Sequence, residues 1–246
     1  MSIYEALTVA LAAEQPVVVA TVIGGAGAVG AKLLARPGGE TLGSLGADLP
    51  EVAIVHDMLA MLARAESGTR RYATAAGEAE VFIEAYPPPP TMFIVGAVHI
   101  AIPLVTFAKV LGFRTVVVDA RGAFATPERF AHADELVNQW PDEALHGRLN
   151  SNSFVVLLTH DPKLDDPALK VALPSPARYV GALGSPSTHA KRLARLRGEG
   201  MPEAQLARLH APIGLKIGGN TPEEIAVSII AEIVAARHGL TGKGEG

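Results

Sequence analysis

Four consecutive prolines, Pro87–Pro90, divide this 246-residue chain into two parts. Each proline fixes its backbone φ angle and lacks an amide hydrogen, so neither a helix nor a central strand can run through the segment. Such a run forms a stiff, extended spacer. The sequence therefore predicts an N-terminal domain over residues 1–86, a linker over 87–90 and a C-terminal domain over 91–246.

Strand-like and helix-like segments alternate after the prolines. Strands are predicted over residues 92–95, 115–118, 135–138, 154–158 and 179–180, and helices over 99–111, 187–199 and 221–237. This alternation is typical of a parallel sheet covered by helices. The first part contains shorter elements, with helices predicted over 4–13 and 50–64 and strands over 17–23, 32–35, 40–42 and 79–86. The sequence thus predicts an α/β C-terminal domain and a smaller α+β N-terminal domain.

The composition excludes several classes of function. Lys and Arg total 21 against 25 Asp and Glu, which gives a formal net charge of -4 without a long run of either sign. A nucleic-acid backbone requires a basic surface, so DNA and RNA are not expected partners. Because the chain has no cysteine, it has no disulfide, no cysteine-ligated metal and no catalytic thiol of its own. No histidine or acid spacing predicts another metal site.

The sequence gives no sign of export or of a membrane span. Its first residues lack a secretory signal, which favours a cytoplasmic location. The most membrane-like window, residues 92–109, contains His99 and Pro103. We therefore expect a buried strand that enters a helix.

The turn after the first strand of the C-terminal domain is a candidate binding site. Gly96, Ala97 and His99 lie there, and Asp119 ends the next strand, 23 residues after Gly96. In a dinucleotide-binding βαβ unit, glycines let the backbone approach a pyrophosphate and the acid holds ribose hydroxyls. Val98 stands where the second glycine belongs, and its side chain crowds the path of a diphosphate. An NAD(P) site, a site for another ligand and a plain strand-to-helix turn all stay open.

Polar residues also follow the neighbouring strands. Arg121 comes just after Asp119, and His160 and Asp161 follow the strand over 154–158. The carboxyl edge of a parallel sheet is where such folds bind ligands. Arg121 could clamp a phosphate, and His160 could contact a ligand or carry a proton. The alternatives are a surface ion pair, a structural histidine and an ordinary turn at Asp161.

Two glycine-rich segments and one basic helix complete the candidates. Gly181 and Gly184 precede Ser185, which is placed to cap a helix whose amides face an anion. Residues 210–219 form a loop that brings backbone close to a ligand or packs under the sheet. The basic positions of the helix over 187–199 are interpreted as a solvated face, with a partner-docking surface as the alternative. They are Lys191, Arg192, Arg195 and Arg197.

Five strings in the same order resemble the XdhC/CoxI family of accessory proteins of xanthine and carbon monoxide dehydrogenases. They are FATPERF at 124–130, LTHD at 158–161, YVGALGS at 179–185, HAPIGL at 210–215 and TPEEIAVSI at 221–229. The resemblance covers residues 91–238 and implies a Rossmann-type C-terminal domain. It also implies that the protein binds molybdenum cofactor of the molybdopterin type, protects it while a cysteine desulfurase installs sulfur, and delivers it to the apoprotein of a molybdenum hydroxylase.

The N-terminal domain is similar to the family over shorter strings. These are ATV at 20–22, GAKLL at 30–34 and GSLG at 43–46, followed by Glu51. Leu49 occupies the place of the family's cysteine. The resemblance therefore implies that sulfur passes directly from the desulfurase to a bound cofactor.

Taken together, the residues and the resemblance imply a non-catalytic maturation factor that holds the cofactor at the carboxyl edge of the sheet, between the two domains. The expected cofactor-binding residues are Gly96, Ala97, His99, Asp119, Arg121, His160, Asp161, Gly181, Gly184, Ser185 and Glu51. No catalytic residue and no metal ligand is predicted. A homodimer is a further expected assembly, because domains joined by a stiff linker can exchange between protomers. The alternative functions are an NAD(P)-dependent oxidoreductase or nucleotide-binding protein, and an inactive scaffold that recruits the hydroxylase.

Overall fold

The computed structural model describes residues 1–240 and divides the chain into two compact units. The first unit comprises Met1–Pro89, and the second begins at Pro90. The last residues of the predicted C-terminal domain, 241–246, lie outside the described part of the chain.

The first unit is an antiparallel sheet with a helix on each face. Its elements are α1 (Ile3–Ala12), β1 (Val17–Gly25), β2 (Lys32–Ala35), β3 (Thr41–Ser44), α2 (Glu51–Arg64), β4 (Gly68–Thr74) and β5 (Gly77–Tyr86), in the strand order β3-β2-β1-β5-β4. Ile54, Met58 and Met61 of α2 pack on one face, and Ala6 and Ala10 of α1 pack on the other. The sequence did not predict β4, because most of its residues are polar and exposed and give no apolar alternation.

The second unit is a six-stranded parallel sheet covered by helices. Its elements are β6 (Thr91–Val95), α3 (Ala101–Val110), β7 (Arg114–Val118), α4 (Pro127–Phe130), β8 (Glu135–Val137), α5 (Pro141–Leu145), β9 (Ser153–Leu157), α6 (Pro162–Ala172), β10 (Tyr179–Ala182), α7 (Pro186–Gly198), α8 (Glu203–Leu206), β11 (Leu209–His210) and α9 (Pro222–Arg237). The strand order is β11-β10-β9-β6-β7-β8. The predicted fold class, a Rossmann-type α/β domain beside an α+β domain, is confirmed.

Alternate residues of the central strands enter two separate cores. Ile94 of β6 and Val117 of β7 lie in the core beneath α3 and α9, whereas Val95 and Val118 lie in the core on the opposite face. Both faces of the strands are buried, which explains their continuous apolar runs. Within residues 1–240, no helix combines the length and the apolar character needed to cross a bilayer.

The connections of β6 and β9 diverge although the two strands are neighbours. Val95 pairs with Leu157, so the strands end side by side. β6 continues through α3 to β7 on one side, and β9 continues through α6 to β10 on the other. Ligands of open α/β sheets bind in the crevice that forms at such a switch point.

The helix α6 begins where the sequence also allowed an ordinary turn. Asp161 caps it by accepting a hydrogen bond from the Lys163 amide at 2.9 Å, and Pro162 occupies the first helical position. Pro167 lies inside the helix and removes one backbone donor. The apolar periodicity is interrupted there, so the sequence did not reveal this helix.

Candidate functional site

A cleft of about 480 Å³ opens at the carboxyl ends of β6, β7 and β9, and we call it the switch-point cleft. Its lining residues are Val98, Arg121, Leu158, Thr159, His160, Asp161 and Pro162. Three of the residues predicted to bind a cofactor, Arg121, His160 and Asp161, therefore share one surface. Leu158 and Thr159, which directly follow β9, were not among the expected cofactor-binding residues.

Gly96 and Ala97 do not line the cleft, and their amides bond to other groups of the protein. The Gly96 amide donates to the Val118 carbonyl at 2.8 Å, and the Ala97 amide donates to Asp119 Oδ2 at 2.9 Å. These amides are thus engaged within the protein, contrary to the expectation that they hold a phosphate. Gly96 has a φ of +105°, and a Cβ there would lie 2.6 Å from Thr159 Cγ2. Only glycine allows the two loops to approach so closely.

The free donors lie further along the same turn. Within the described residues, the amides of Val98, His99 and Ile100 donate no hydrogen bond, and the first bond of the turn runs from the Ala101 amide to the Val98 carbonyl at 3.0 Å. No side chain caps α3. Three adjacent amides at the start of a helix attract an anion. His99 is exposed in this turn.

Asp119 is buried and carries four hydrogen bonds. Its Oδ1 accepts from the backbone amide and from Nε of Arg121, both at 2.9 Å. Its Oδ2 accepts from Arg121 Nη2 at 2.8 Å and from the Ala97 amide. The Arg121 guanidinium also stacks on Phe124, 4.5 Å from the ring centroid, and its side chain is 38% exposed.

Burial by itself raises the pKa of Asp119, but the hydrogen bonds from Arg121 and Ala97 outweigh this effect and hold the pKa below its usual value. A carboxyl whose pKa is lower in the folded than in the unfolded protein stabilises the fold at pH values above its unfolded pKa. This stabilisation is lost as the pH falls through the folded pKa. We expect Asp119→Asn to lower the free energy of unfolding by about 1 to 3 kcal/mol at pH 7. Urea unfolding should show that the difference in the free energy of unfolding between wild type and the variant becomes smaller toward about pH 3. A difference that stays constant would contradict this account.

A buried ionic network reaches the cleft through Thr159. The Thr159 hydroxyl donates to Asp165 Oδ1, and Arg192 Nη2 donates to Asp165 Oδ2 at 2.8 Å and to the Leu183 carbonyl at 3.0 Å. The side chains of Asp165 and Arg192 are 2% and 1% exposed. Burial raises the pKa of Asp165, although its bonds to Thr159 and Arg192 oppose that effect. The network anchors one wall of the cleft, because Thr159 lines it.

The position of Arg192 corrects the prediction of a fully solvated basic helix. Arg192 is buried, whereas Lys191 and Arg197 are exposed as predicted. Arg195 is partly exposed and pairs with Asp166 at 2.6 Å. Arg192 lies four residues before the buried Leu196 and so shares its face of the helix. That spacing was the signal in the sequence that could have revealed its burial.

The second glycine loop does not line the switch-point cleft. Gly181 lies inside β10, where a Cβ would come within 2.6 Å of Ile213 Cδ1 and of the Tyr179 hydroxyl. It allows close packing in the core. Ser185 caps α7 as predicted, accepting a hydrogen bond from the Thr188 amide at 3.2 Å, and Gly184 directly precedes it with a φ of +145°.

Glu51 of the first unit holds its own loop together. It accepts hydrogen bonds from the Ser44 hydroxyl and from the Leu45 amide, both at 2.6 Å. These bonds, the Ser44 bond most strongly, hold the pKa of Glu51 below its usual value. Leu49 is 6% exposed and packs in the core of this unit. In the described part of the chain, no three histidine or acidic side chains are grouped so that they could hold a metal ion.

The parallel sheet and the cleft at its switch point define the second unit as a Rossmann-type domain. Residues 92–233 match the family model described as the XdhC Rossmann domain, and residues 10–73 match the model of the XdhC and CoxI family. The chain belongs to the XdhC family, which confirms the resemblance predicted from the sequence.

Curated relatives agree with this assignment. A protein of Bacillus subtilis (strain 168), named as a probable subunit of xanthine dehydrogenase, is 34% identical over 158 residues, which cover 64% of this chain and 46% of that protein. The molybdenum cofactor insertion chaperone PaoD of Escherichia coli (strain K12) is 31% identical over 90 residues, 37% of this chain and 28% of PaoD. This chain spans less than half the length of the curated relatives that it matches.

A crystal structure from Bacillus halodurans, described as a xanthine dehydrogenase, superposes with a TM-score of 0.55 at 23% identity. The alignment covers 97% of this chain and 96% of that chain. At this identity the likeness shows a shared fold.

Proposed function

We propose that this protein is an accessory factor of a molybdenum hydroxylase of the xanthine dehydrogenase type, and that it binds molybdenum cofactor in the switch-point cleft. The observation that carries the proposal is that Arg121, with a partly exposed guanidinium, and Val98, the first of three adjacent residues with free amides, line the same cleft. Membership of the XdhC family and the similarity to PaoD support the cofactor class.

The residues present fit a phosphorylated pterin. The cleft volume of about 480 Å³ lies within the range of small-molecule sites. Arg121 and the amides at the start of α3 would hold the phosphate. His160 and Asp161 offer polar groups to the pterin edge, while Leu158 and Pro162 provide apolar contact. The bound cofactor supplies the molybdenum centre that the hydroxylase uses, and this chain binds and shields it.

The partners follow from the same proposal. The cofactor would be passed to the apoprotein of the hydroxylase in the cytoplasm. A cysteine desulfurase is a further partner that we propose from the family resemblance, and a second copy of this chain is one that we propose because domains joined by a stiff linker can exchange between protomers. Since the chain has no cysteine, it cannot carry the sulfur covalently on a thiol.

Replacement of Arg121 tests the proposal. We expect Arg121→Ala to weaken cofactor binding about tenfold or more, because a hydrogen bond to a charged group contributes about 1.5 to 3 kcal/mol. The protein is co-expressed with molybdate supplementation, and the pterin that co-purifies is oxidised and measured by fluorescence.

Arg148→Ala is the matched control. Its side chain is 35% exposed and pairs with Glu135 at 2.8 Å, but it precedes β9 and does not line the cleft. This variant should retain as much pterin as wild type. Wild-type protein without pterin above an unrelated control protein would refute the proposed function, and equal pterin in Arg121→Ala and wild type would refute the assignment of the cleft.

A further inference from the structure

We infer that the switch-point cleft selects ligands with a single terminal phosphate and excludes dinucleotides, and that Asp119, Arg121 and Val98 set this specificity. The inference rests on the proposed function and narrows it to the form of the cofactor that carries no nucleotide.

The Asp119 carboxylate has no capacity left for a ribose. An ionised carboxylate offers about four lone-pair sites. The amide of Ala97 and the backbone amide, Nε and Nη2 of Arg121 donate to these oxygens. In a dinucleotide-binding βαβ unit, the acid at this strand end accepts from the ribose hydroxyls. In this protein Arg121 and Ala97 occupy that acceptor.

Val98 restricts the space for the pyrophosphate of a dinucleotide. A pyrophosphate needs close approach to the backbone, which the second glycine of the usual turn allows. The Val98 side chain lines the cleft and packs against the core beneath α3. It therefore takes up space that a diphosphate would need.

Donors that could bind one phosphate remain free. The amides of Val98, His99 and Ile100 are adjacent in the chain and donate to no acceptor within residues 1–240. Arg121 Nη1 is not among the groups that bind Asp119, and the guanidinium reaches the cleft. A monoester meets these donors at its terminal group, whereas a diphosphate must also continue past Val98 toward the occupied acid.

Three flavins provide a direct test, because they share one planar ring system and differ in their phosphates. FMN ends in a monoester, FAD continues through a diphosphate to adenosine, and riboflavin has no phosphate. We expect wild-type protein to bind FMN about tenfold or more tightly than either FAD or riboflavin, as measured by fluorescence titration. FAD binding as tight as FMN binding, or no FMN binding at about 1 mM, would overturn the inference.

A double variant tests the named residues by a gain of binding. Val98→Gly with Arg121→Ala removes two donors from Asp119 and clears the path of the diphosphate. We expect ADP-ribose affinity to rise, and FMN affinity to fall, each by about tenfold or more. Arg148→Ala should change neither. A double variant that keeps its near-ultraviolet circular dichroism but shows no gain for ADP-ribose would contradict the assignment to these residues.

The two proposals fail in distinguishable ways. Selection of FMN over FAD without co-purified pterin would support the specificity and refute the proposed cofactor. Co-purified pterin with equal binding of FMN and FAD would support the proposed cofactor and refute the specificity.

Discussion

Replacing Arg192 by methionine should lower the free energy of unfolding by about 3 to 5 kcal/mol, because it leaves a buried carboxylate without its partner. The side chains of Arg192 and Asp165 are almost fully buried, and Arg192 Nη2 lies 2.8 Å from Asp165 Oδ2. Burial already raises the pKa of Asp165, and removing the guanidinium takes away one of the bonds that oppose this shift. Urea or thermal unfolding monitored by circular dichroism measures the loss.

The neighbouring ion pair on the same helix is the matched control. Arg195 and Asp166 lie 2.6 Å apart, but the Arg195 side chain is 38% exposed. Arg195→Met should therefore cost about 1 kcal/mol or less. Similar losses in the two variants would show that burial of the Arg192 pair does not control its contribution.

Removing both charges distinguishes the contribution of the ion pair to stability from the cost of burying one unpaired charge. Arg192 Nε and Nη1 are buried without a hydrogen-bond partner within the described residues, which reduces the net contribution of the pair. The double variant Asp165→Leu with Arg192→Met should recover most of the stability lost in Arg192→Met. A double variant as unstable as the single one would contradict this explanation.

Replacing Gly214 by alanine should lower the free energy of unfolding by about 2 to 4 kcal/mol, since the new Cβ meets both strain and atoms of α9. Gly214 has a φ of +96°, and a Cβ there would lie 2.1 Å from Ser228 Oγ and 3.3 Å from the Ile229 amide nitrogen. Its own amide donates to the buried Glu232 at 2.7 Å. Displacing the loop would therefore also weaken that bond. Chemical unfolding gives the loss.

Gly218 in the same loop isolates the steric part of this effect. Its φ is +81°, yet nothing lies within 4 Å of an added Cβ. Gly218→Ala should lose only about 1 to 2 kcal/mol, the cost of the left-handed conformation. Adding Ser228→Ala to Gly214→Ala should restore part of the stability, because it removes the nearest atom. Equal losses at the two glycines would contradict the role of the contact with α9.

Much of the architecture could be predicted because the sequence carries local signals for it. Apolar runs with buried faces marked β6, β7 and β9, and the glycine at the end of β6 marked its turn. Strands that give no apolar alternation, such as the polar β4 and the two-residue β11, were missed. They form because a neighbouring strand offers its backbone groups.

The candidate site was predictable only in part. Arg121, His160 and Asp161 follow parallel strands, whose carboxyl ends lie at one edge of the sheet. The order of the strands is enough to bring these three residues together. Gly181 was predicted to belong to the same site because it begins a glycine loop after the strand predicted over 179–180, yet it lies within β10 against Ile213. Whether a glycine serves a ligand or a close contact in the core depends on what lies opposite, and local sequence does not specify that.

The sequence by itself determined the parallel sheet, because apolar periodicity acts locally along the chain, and the family, because five short strings in a fixed order resemble it. Only the tertiary structure decided what the polar groups do. It turned Asp119 inward onto Arg121 and Ala97, and it buried Arg192 against Asp165. The partners Asp165 and Arg192 are 27 residues apart in the chain. The packing of the sheet and helices brings such groups together, and hydrogen-bond capacity then settles which of them are left for a ligand.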